Sequence, residues 1–558
     1  MHLSRAIGAC LLALTSLSAA HPKKPVPRPV WPSKPAVKND AQHRGRWSRG
    51  YDIDTNWDVD WPKTGKTVTY NFEVTNTTCA PDGVEVQTCM LVNGQFPGPT
   101  IEANWGDNIV VNLKNSLQWN GTGIHWHGLR QYQTNVEDGV PGITECPLAP
   151  GDSMTYKLRA TQYGTSWYHS HGIDVPTEHL ITNTILINGT NKDAQNMTGS
   201  WATTPGLIPG KKYLLRPINA HRHCDLCRCA GTDVQAFRVS LDNHSLTIIA
   251  NDFVPVEPLA VDHLILAIGQ RYDVIFTANQ KPGNYWFCAF AETACFGSSI
   301  NSALSIFNYG GVELSTPNST AYTMPSDCME PWPLQPLNAE TLPKSKFLSS
   351  VVNLEVSDTT STDVDDGGLV LWRVNGSSMR VDFEKPVLMD LMNGKTDFAS
   401  AQNLIELPRE GDWSFWVIQE ADGAATFPPI PHPIHLHGHD MYILGQKENA
   451  IFDKNKDIDI LDFTNPPRRD VGMLPSGGWV VIAFKKDNPG AWLLHCHIAV
   501  HVSEGLGLQF LESKHKIPSP GPAWKRTCKN WRRYSEGNNP YTDVYSPHAP
   551  WNVSKSGL

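Results

Sequence analysis

Residues 475–497 read PSGGWVVIAFKKDNPGAWLLHCH, and the chain carries this pattern three times. The other copies are APGDSMTYKLRATQYGTSWYHSH at 149–171 and AIGQRYDVIFTANQKPGNYWFCAF at 267–290. Each has a Gly-containing turn, an alternating strand, a polar Gly turn and an aromatic or apolar strand. The first and third copies end in His-x-His, whereas the second has Cys288 and Phe290 near those places. A second duplication lies upstream of the outer copies. TIEANWGDNIVVNL (100–113) leads to HWHG, and LIELPREGDWSFWVI (404–418) leads to HPIHLHGH. Short β-rich runs bounded by Gly, Pro, Asn and Asp fill most of the chain, without a long amphipathic helical pattern. An all-β chain of sandwiches or barrels is expected. Its three related units carry metal-type residues only in the first and last, with the middle one a structural spacer.

The outer limits agree. At 558 residues the chain has room for about three or four units of ~150 residues. It is 40% hydrophobic with a mean hydropathy of −0.32, which suits packed cores. A net charge of −9 does not suggest a nucleic-acid partner. At the N-terminus, Arg5 flanks an apolar stretch from Ala6 to Leu14, and Ser18, Ala19 and Ala20 form a cleavage-like end. Residues 1–20 therefore read as a secretory signal peptide and 21–50, rich in Pro, Lys and Arg, as a disordered leader. No later run of about 18 apolar residues follows, so a secreted, soluble protein with no membrane partner is expected. Asn-x-Ser/Thr sequons at Asn76, Asn120, Asn188, Asn196, Asn243, Asn318, Asn375 and Asn552 fit a glycosylated extracellular chain.

Of 21 histidines, ten fall into four clusters: His125 and His127; His169 and His171; His432, His435 and His437; His495, His497 and His501. Strand side chains alternate faces, so His-x-His puts both imidazoles on one side. Four such segments from two units can converge across an interface around a metal cluster. In HCHIAVH, Cys496 points away from His495 and His497, so one strand can serve two sites. A thiolate with two imidazoles is the donor set of a blue-copper centre. A structural zinc needs about four ligands and closes on itself, which leaves too many donors over.

HWHG, HSH, HPIHLHGH and HCHIAVHVSEGLGLQFLE together resemble the copper signatures of multicopper oxidases, and over roughly residues 70–558 the chain looks most like ascomycete laccases. The resemblance implies three cupredoxin-like Greek-key β-barrel or sandwich domains, at 60–180, 181–325 and 326–558, the middle one atypical. It implies four copper ions. His432, Cys496 and His501 would hold type 1 copper; His125 and His435 type 2; His127, His169, His171, His437, His495 and His497 the type 3 pair. Leu506 falls where the axial type 1 position lies, and a non-coordinating residue there raises the potential. Asp138 matches a carboxylate that assists proton delivery to the trinuclear cluster, and Asp233 stands near the family's phenol-binding acid. The implied disulfides are Cys79–Cys89, Cys146–Cys528 and Cys295–Cys328. The C-terminal Lys555-Ser556-Gly557-Leu558 resembles a processed tail that plugs a channel to the cluster.

The implied activity is laccase-type: one-electron oxidation of small phenols or aromatic amines near His501, coupled to reduction of dioxygen to water, by a monomer. Lignin phenols and melanin precursors both remain open as substrates. Rival expectations are an oxidase of ascorbate, bilirubin or ferrous iron, and a catalytically impaired copper-binding paralogue. The chain departs from the family pattern twice. After His171 it is tens of residues short, and ILING (185–189) can close the first unit or open the second but not both, leaving a sheet edge exposed. HRHCDLCRCAGTDVQA (221–236), with Cys224, Cys227 and Cys229, reads as an insertion.

Overall fold

The computed structural model describes residues 51–171, 184–192, 198–220, 236–291, 302–358 (without 324, 326–327 and 329–333), 371–421 and 430–538. The signal and leader segments, Asp233 with the cysteines around it, Cys295 and the C-terminal Lys555–Leu558 lie outside these residues.

The strands group into three sandwich-like units of cupredoxin type. The first has a four-stranded sheet in the order Val86–Val92, Thr67–Cys79, Asn108–Asn115, Ser153–Arg159. Against it pack two short paired strands, Ile124–His125 and His169–Ser170. The middle unit packs a four-stranded sheet (Val254–Val261, Leu246–Asn251, Tyr272–Thr277, Lys212–Leu215) on a five-stranded one. That second sheet runs Leu264–Leu266, Phe237–Leu241, Asn284–Ala291, Ser302–Tyr309, Ala202–Leu207. The last unit has a six-stranded sheet built around Trp413–Glu420 and Trp479–Lys485, and a five-stranded sheet. The latter is ordered Leu404–Leu407, Gly507–Glu512, Gly490–Cys496, His432–Leu436, Val471–Leu474.

The repeated segment has one structural meaning. In every copy its first strand lies in one sheet and its second in the facing layer: Ser153–Arg159 then His169–Ser170, Tyr272–Thr277 then Asn284–Ala291, Trp479–Lys485 then Gly490–Cys496. The upstream duplication does the same, Asn108–Asn115 crossing to Ile124–His125 and Trp413–Glu420 to His432–Leu436.

The apolar run WVVIAF follows from burial on both faces. Val480, Ile482 and Phe484 enter the core between the two sheets, while Trp479, Val481 and Ala483 pack outward on Phe347, Phe415 and Tyr442. The strand Gly490–Cys496 divides likewise. Leu494 and Cys496 face the sandwich core, and Ala491 and Leu493 face the first unit, packing with Val140, Ile143, Cys146 and Ala149. His495 belongs to that second alternation, so it meets the seam between the outer units. In the first unit Trp126 is the inward anchor, packed with Phe72, Val111 and Tyr156, and its neighbours His125 and His127 turn the other way. The final helix, Pro522–Asn538, seals the same seam with Trp524, Trp531 and the Cys146–Cys528 disulfide.

ILING forms a strand of neither sheet. Ile185 is buried in the middle core, and Ile187 bridges Thr190 around Asn188 and Gly189, whose φ values are +51° and +80°. Asn-Gly with both φ positive is a tight reversal, which an extended closing strand cannot contain. Among the described residues the first unit thus keeps a two-stranded second layer. Cys79–Cys89 and Cys146–Cys528 are formed as expected; Cys328 is disulfide-bonded, and its expected partner lies outside the described residues.

Candidate metal centre

Strand register brings the histidine clusters together. His125 pairs directly with His169, and His435 with His495, across antiparallel neighbours. The two pairs meet at the seam, where the His125 and His437 ring centroids are 3.9 Å apart and His127 stacks on His435 at 3.9 Å. Three overlapping trios have candidate ligand atoms within 4.8 Å of one another: His125–His127–His435, His125–His171–His437 and His127–His169–His497. His495 joins them, its Nε2 3.2 Å from His437 Nε2. Eight of the ten histidines therefore line one buried site, four from each outer unit.

The other two lie with Cys496 on the opposite side of its strand. Cys496 Sγ is 3.6 Å from His432 Nδ1 and from His501 Nδ1, and those nitrogens are 3.2 Å apart. All three side chains are buried. His501 rides on the short helix Ala499–Ser503, and the Trp372 ring lies 4.3 Å from its ring and 4.8 Å from that of His432. Leu506 is buried in the same core as Cys496. Its N–H donates to the His501 carbonyl (2.8 Å), and its own carbonyl accepts from the Cys496 N–H (3.1 Å).

Hydrogen bonds at the far side of each ring select the tautomer. His125 Nδ1 donates to the Asp138 carbonyl and His435 Nδ1 to the Asp470 carbonyl, both at 2.9 Å. His437 Nδ1 donates to Asp138 Oδ2 (2.9 Å) and His495 Nδ1 to the Cys496 carbonyl (2.9 Å). Each of these leaves an Nε2 lone pair aimed into the site. His127 is reversed: its Nε2 donates to Asp470 Oδ1 at 3.1 Å, and its Nδ1 faces His497 Nε2 at 3.2 Å. Metal-binding histidines are oriented in this way by outer carbonyls and carboxylates.

The donor set fits copper. The Nε2 atoms of His125 and His435 are buried without a hydrogen-bond partner, a loss of about 1–3 kcal/mol for each polar group left so. A cation between the rings removes that penalty, because nitrogen lone pairs only a few ångströms apart can all face it. Burial holds the imidazoles unprotonated: His432 and His495 are pushed down to about 3, and burial followed by the neighbouring histidines drives His127, His435 and His437 well below the usual range. Burial pushes the Cys496 thiol up, so a metal must draw off its proton to use it.

Asp138 is fully buried, and its carbonyl and its carboxylate each accept a hydrogen bond from a different histidine. Asp470, which sequence reading passed over, does the same for His435 and His127. Its signal was the run Arg468-Arg469-Asp470, three buried charges opening an apolar strand segment. The middle unit is also more than a spacer. Its Gly269, at φ +87°, comes so near the site that an added Cβ would lie 3.0 Å from His127 Cε1 and 3.3 Å from His497 Cδ2.

Sequence models of multicopper oxidases match three stretches of the chain, residues 73–192, 159–311 and 371–516. The chain is 43% identical to Laccase-3 of Botryotinia fuckeliana over 468 residues, covering 74% of this chain and 100% of that one. It is 39% identical to the laccase of Neurospora crassa over 568 residues, covering 90% and 88% of the two chains. The solved structure of the laccase from Botrytis aclada superposes with a TM-score of 0.77 at 35% identity, covering 90% of this chain and 97% of that chain. The chain belongs to the multicopper oxidase family. Within it the relatives define a fungal laccase-like oxidoreductase, a class that works with four copper ions of types 1, 2 and 3.

Proposed function

We propose that the protein is a secreted laccase that takes single electrons from small phenols or aromatic amines and uses four of them to reduce dioxygen to water. His432, Cys496 and His501 hold type 1 copper, with Leu506 at the non-coordinating axial place. His125 and His435 hold type 2, and His127, His169, His171, His437, His495 and His497 hold the type 3 pair. Bound copper would supply the one-electron acceptor at the first site and the dioxygen-reducing centre at the second. The same reading divides the chain at 60–180, 181–325 and 326–558, and takes it as a monomer without nucleic-acid or membrane partners.

One observation carries this reading. Cys496 faces His432 and His501, while its chain neighbours His495 and His497 face the eight-histidine site. Two sites are thus joined by a few covalent bonds, a short route for electrons from the Cys496 site to the eight-histidine site. Trp372 packs on both imidazoles of the first site and excludes water from them. At the second, Asp138 sets one carboxylate oxygen on His437 Nδ1 and the other 3.4 Å from His125 Nδ1, and this reading takes it as the carboxylate that assists proton delivery. The signal-like N-terminus supports secretion, and no described helix is long and apolar enough to cross a membrane.

The test is to express the full chain, count its coppers and follow oxygen uptake with a simple phenol, with ascorbate, bilirubin and ferrous iron in parallel. Four coppers, a blue band and uptake fastest with the phenol are expected. A blue protein that consumes no oxygen with any of the four would overturn the reading.

A further inference from the structure

We infer that Arg271 of the middle unit is a positioning residue of the eight-histidine site, acting through Asp470 on His127 and His435. The inference rests on the reading that those histidines hold copper.

Arg271 is fully buried, follows the turn at Ile268 and Gly269, bridges Ile218, and stands in the repeat where the last unit has Trp479. Its Nη1 is 2.6 Å from Asp470 Oδ1, the oxygen that also receives the His127 Nε2–H at 3.1 Å. One carboxylate oxygen is therefore shared between a guanidinium and a site imidazole. The Arg271 side chain is held by the carbonyls of Thr165 (3.3 Å) and Gly269 (3.2 Å), one in the first unit and one in its own. Asp252, also of the middle unit, completes the clamp. Its Oδ1 accepts the Arg271 N–H (2.9 Å), and its Oδ2 accepts the Asp470 N–H (3.2 Å) and Arg469 Nε (3.1 Å). Gln270 Nε2 donates to the Val471 carbonyl at 3.1 Å. Asp470 is thus fixed at its N–H, its carboxylate and the next peptide by middle-unit side chains, and the Asp470 carbonyl in turn orients His435.

The first unit is shaped for the same contact. Gly128, the glycine of HWHG, has φ +73°, and a Cβ there would overlap both the Asp470 carboxylate and the Arg271 guanidinium. Three units meet at one ion pair, and the guanidinium's planar fork reaches a carboxylate and two carbonyls from two separate nitrogens, a spacing that the compact ammonium of a lysine does not reproduce. The unit without metal-type residues thereby sets the angle of one imidazole from each outer unit.

The experiment uses full-length Arg271→Gln, Arg271→Lys and Gly269→Ala proteins. The readouts are copper per chain, the type 2 electron paramagnetic resonance signal, the blue band, and kcat and KM for a phenol. Outer partners of metal ligands typically contribute 10- to 100-fold. The expected result for Arg271→Gln is a kcat down about 10- to 100-fold, with an altered or depleted type 2 signal and an unchanged blue band and KM. Arg271→Lys, which keeps the charge but not the fork, is expected to recover only part of the loss. Gly269→Ala, which leaves both side chains of the ion pair in the protein but crowds His127 and His497, should perturb the type 2 and type 3 signatures, and it reads the same turn if Arg271→Gln is not secreted. An unaltered type 2 signal in Arg271→Lys and Gly269→Ala overturns the inference. A fall of the blue band in step with kcat overturns it too, since a general loss of structure would do that. A wild-type protein whose eight-histidine site takes no copper sinks the ligand reading itself, a distinct outcome.

Discussion

Asp138 Oδ2 lies 2.9 Å from His437 Nδ1, across the seam of the outer units and 299 residues away along the chain. The same residue's main-chain carbonyl receives His125 Nδ1. Asp138→Asn keeps the carbonyl and an oxygen acceptor but loses the charge, so it should retain copper while slowing turnover. Asp138→Ala removes the acceptor, and about 10- to 100-fold in copper affinity or kcat should go with it. Oxygen uptake and copper analysis on both variants check this. Wild-type activity and copper content in both variants would show that the carboxylate neither orients His437 nor handles protons.

The first site can be addressed separately. Leu506→Met is nearly volume-conserving and should cost under about 1.5 kcal/mol of stability. Its backbone is tied to His501 and Cys496, so the new thioether stays beside the thiolate. A weak axial sulfur lowers the potential of a His₂Cys copper site. Redox titration of the blue band should therefore give a lower potential, with slower oxidation of phenols that are hard to oxidise. A potential equal to wild type would remove Leu506 from the axial place.

What the sequence made legible here was local alternation. His-x-His and His-Cys-His each settle which side chains share a face, because the strand period is two and the residues are adjacent. The division into a Cys496 side and a His495–His497 side followed from that alone. Asp470 was hidden because its partners His127 and Arg271 are 343 and 199 residues away, and only packing of three units brings them together. ILING was legible in principle. Asn188-Gly189 is a reversal signal, and reading the apolar residues as a strand gave too little weight to that turn chemistry.

Cys146–Cys528 closes a loop of 382 residues and pins the helix Pro522–Asn538 to the first unit. In the chain-entropy account such a closure is worth about 6 kcal/mol, and losing it also loosens Trp524 and Trp531 at the seam. Cys528→Ser, made with Cys146→Ser to avoid a stray thiol, should lower the melting temperature. Proteolysis should then begin in the C-terminal helix. The blue band should survive, since the Cys496 site draws on a different core. Loss of the blue band before any proteolysis would mean that the helix supports the metal sites directly.

Glu137 supplies a pH test. Its Oε2 accepts the Lys157 N–H, but burial dominates and holds its carboxyl up at about 7, against 4.5 in the unfolded chain. Below about pH 4.5 both states are protonated and the group is neutral to stability. As pH rises toward 7 the unfolded chain releases the proton first, so folding loses stability through that window and none beyond it. At about 1.36 kcal/mol per pH unit the loss is about 3 kcal/mol. Glu137→Gln keeps an acceptor for Lys157 and has no proton to release. It should match wild type in denaturant melts at about pH 4 and exceed it by up to about 3 kcal/mol at about pH 7.5. A stability difference that stays constant across that range would mean the carboxylate is solvated in the folded protein.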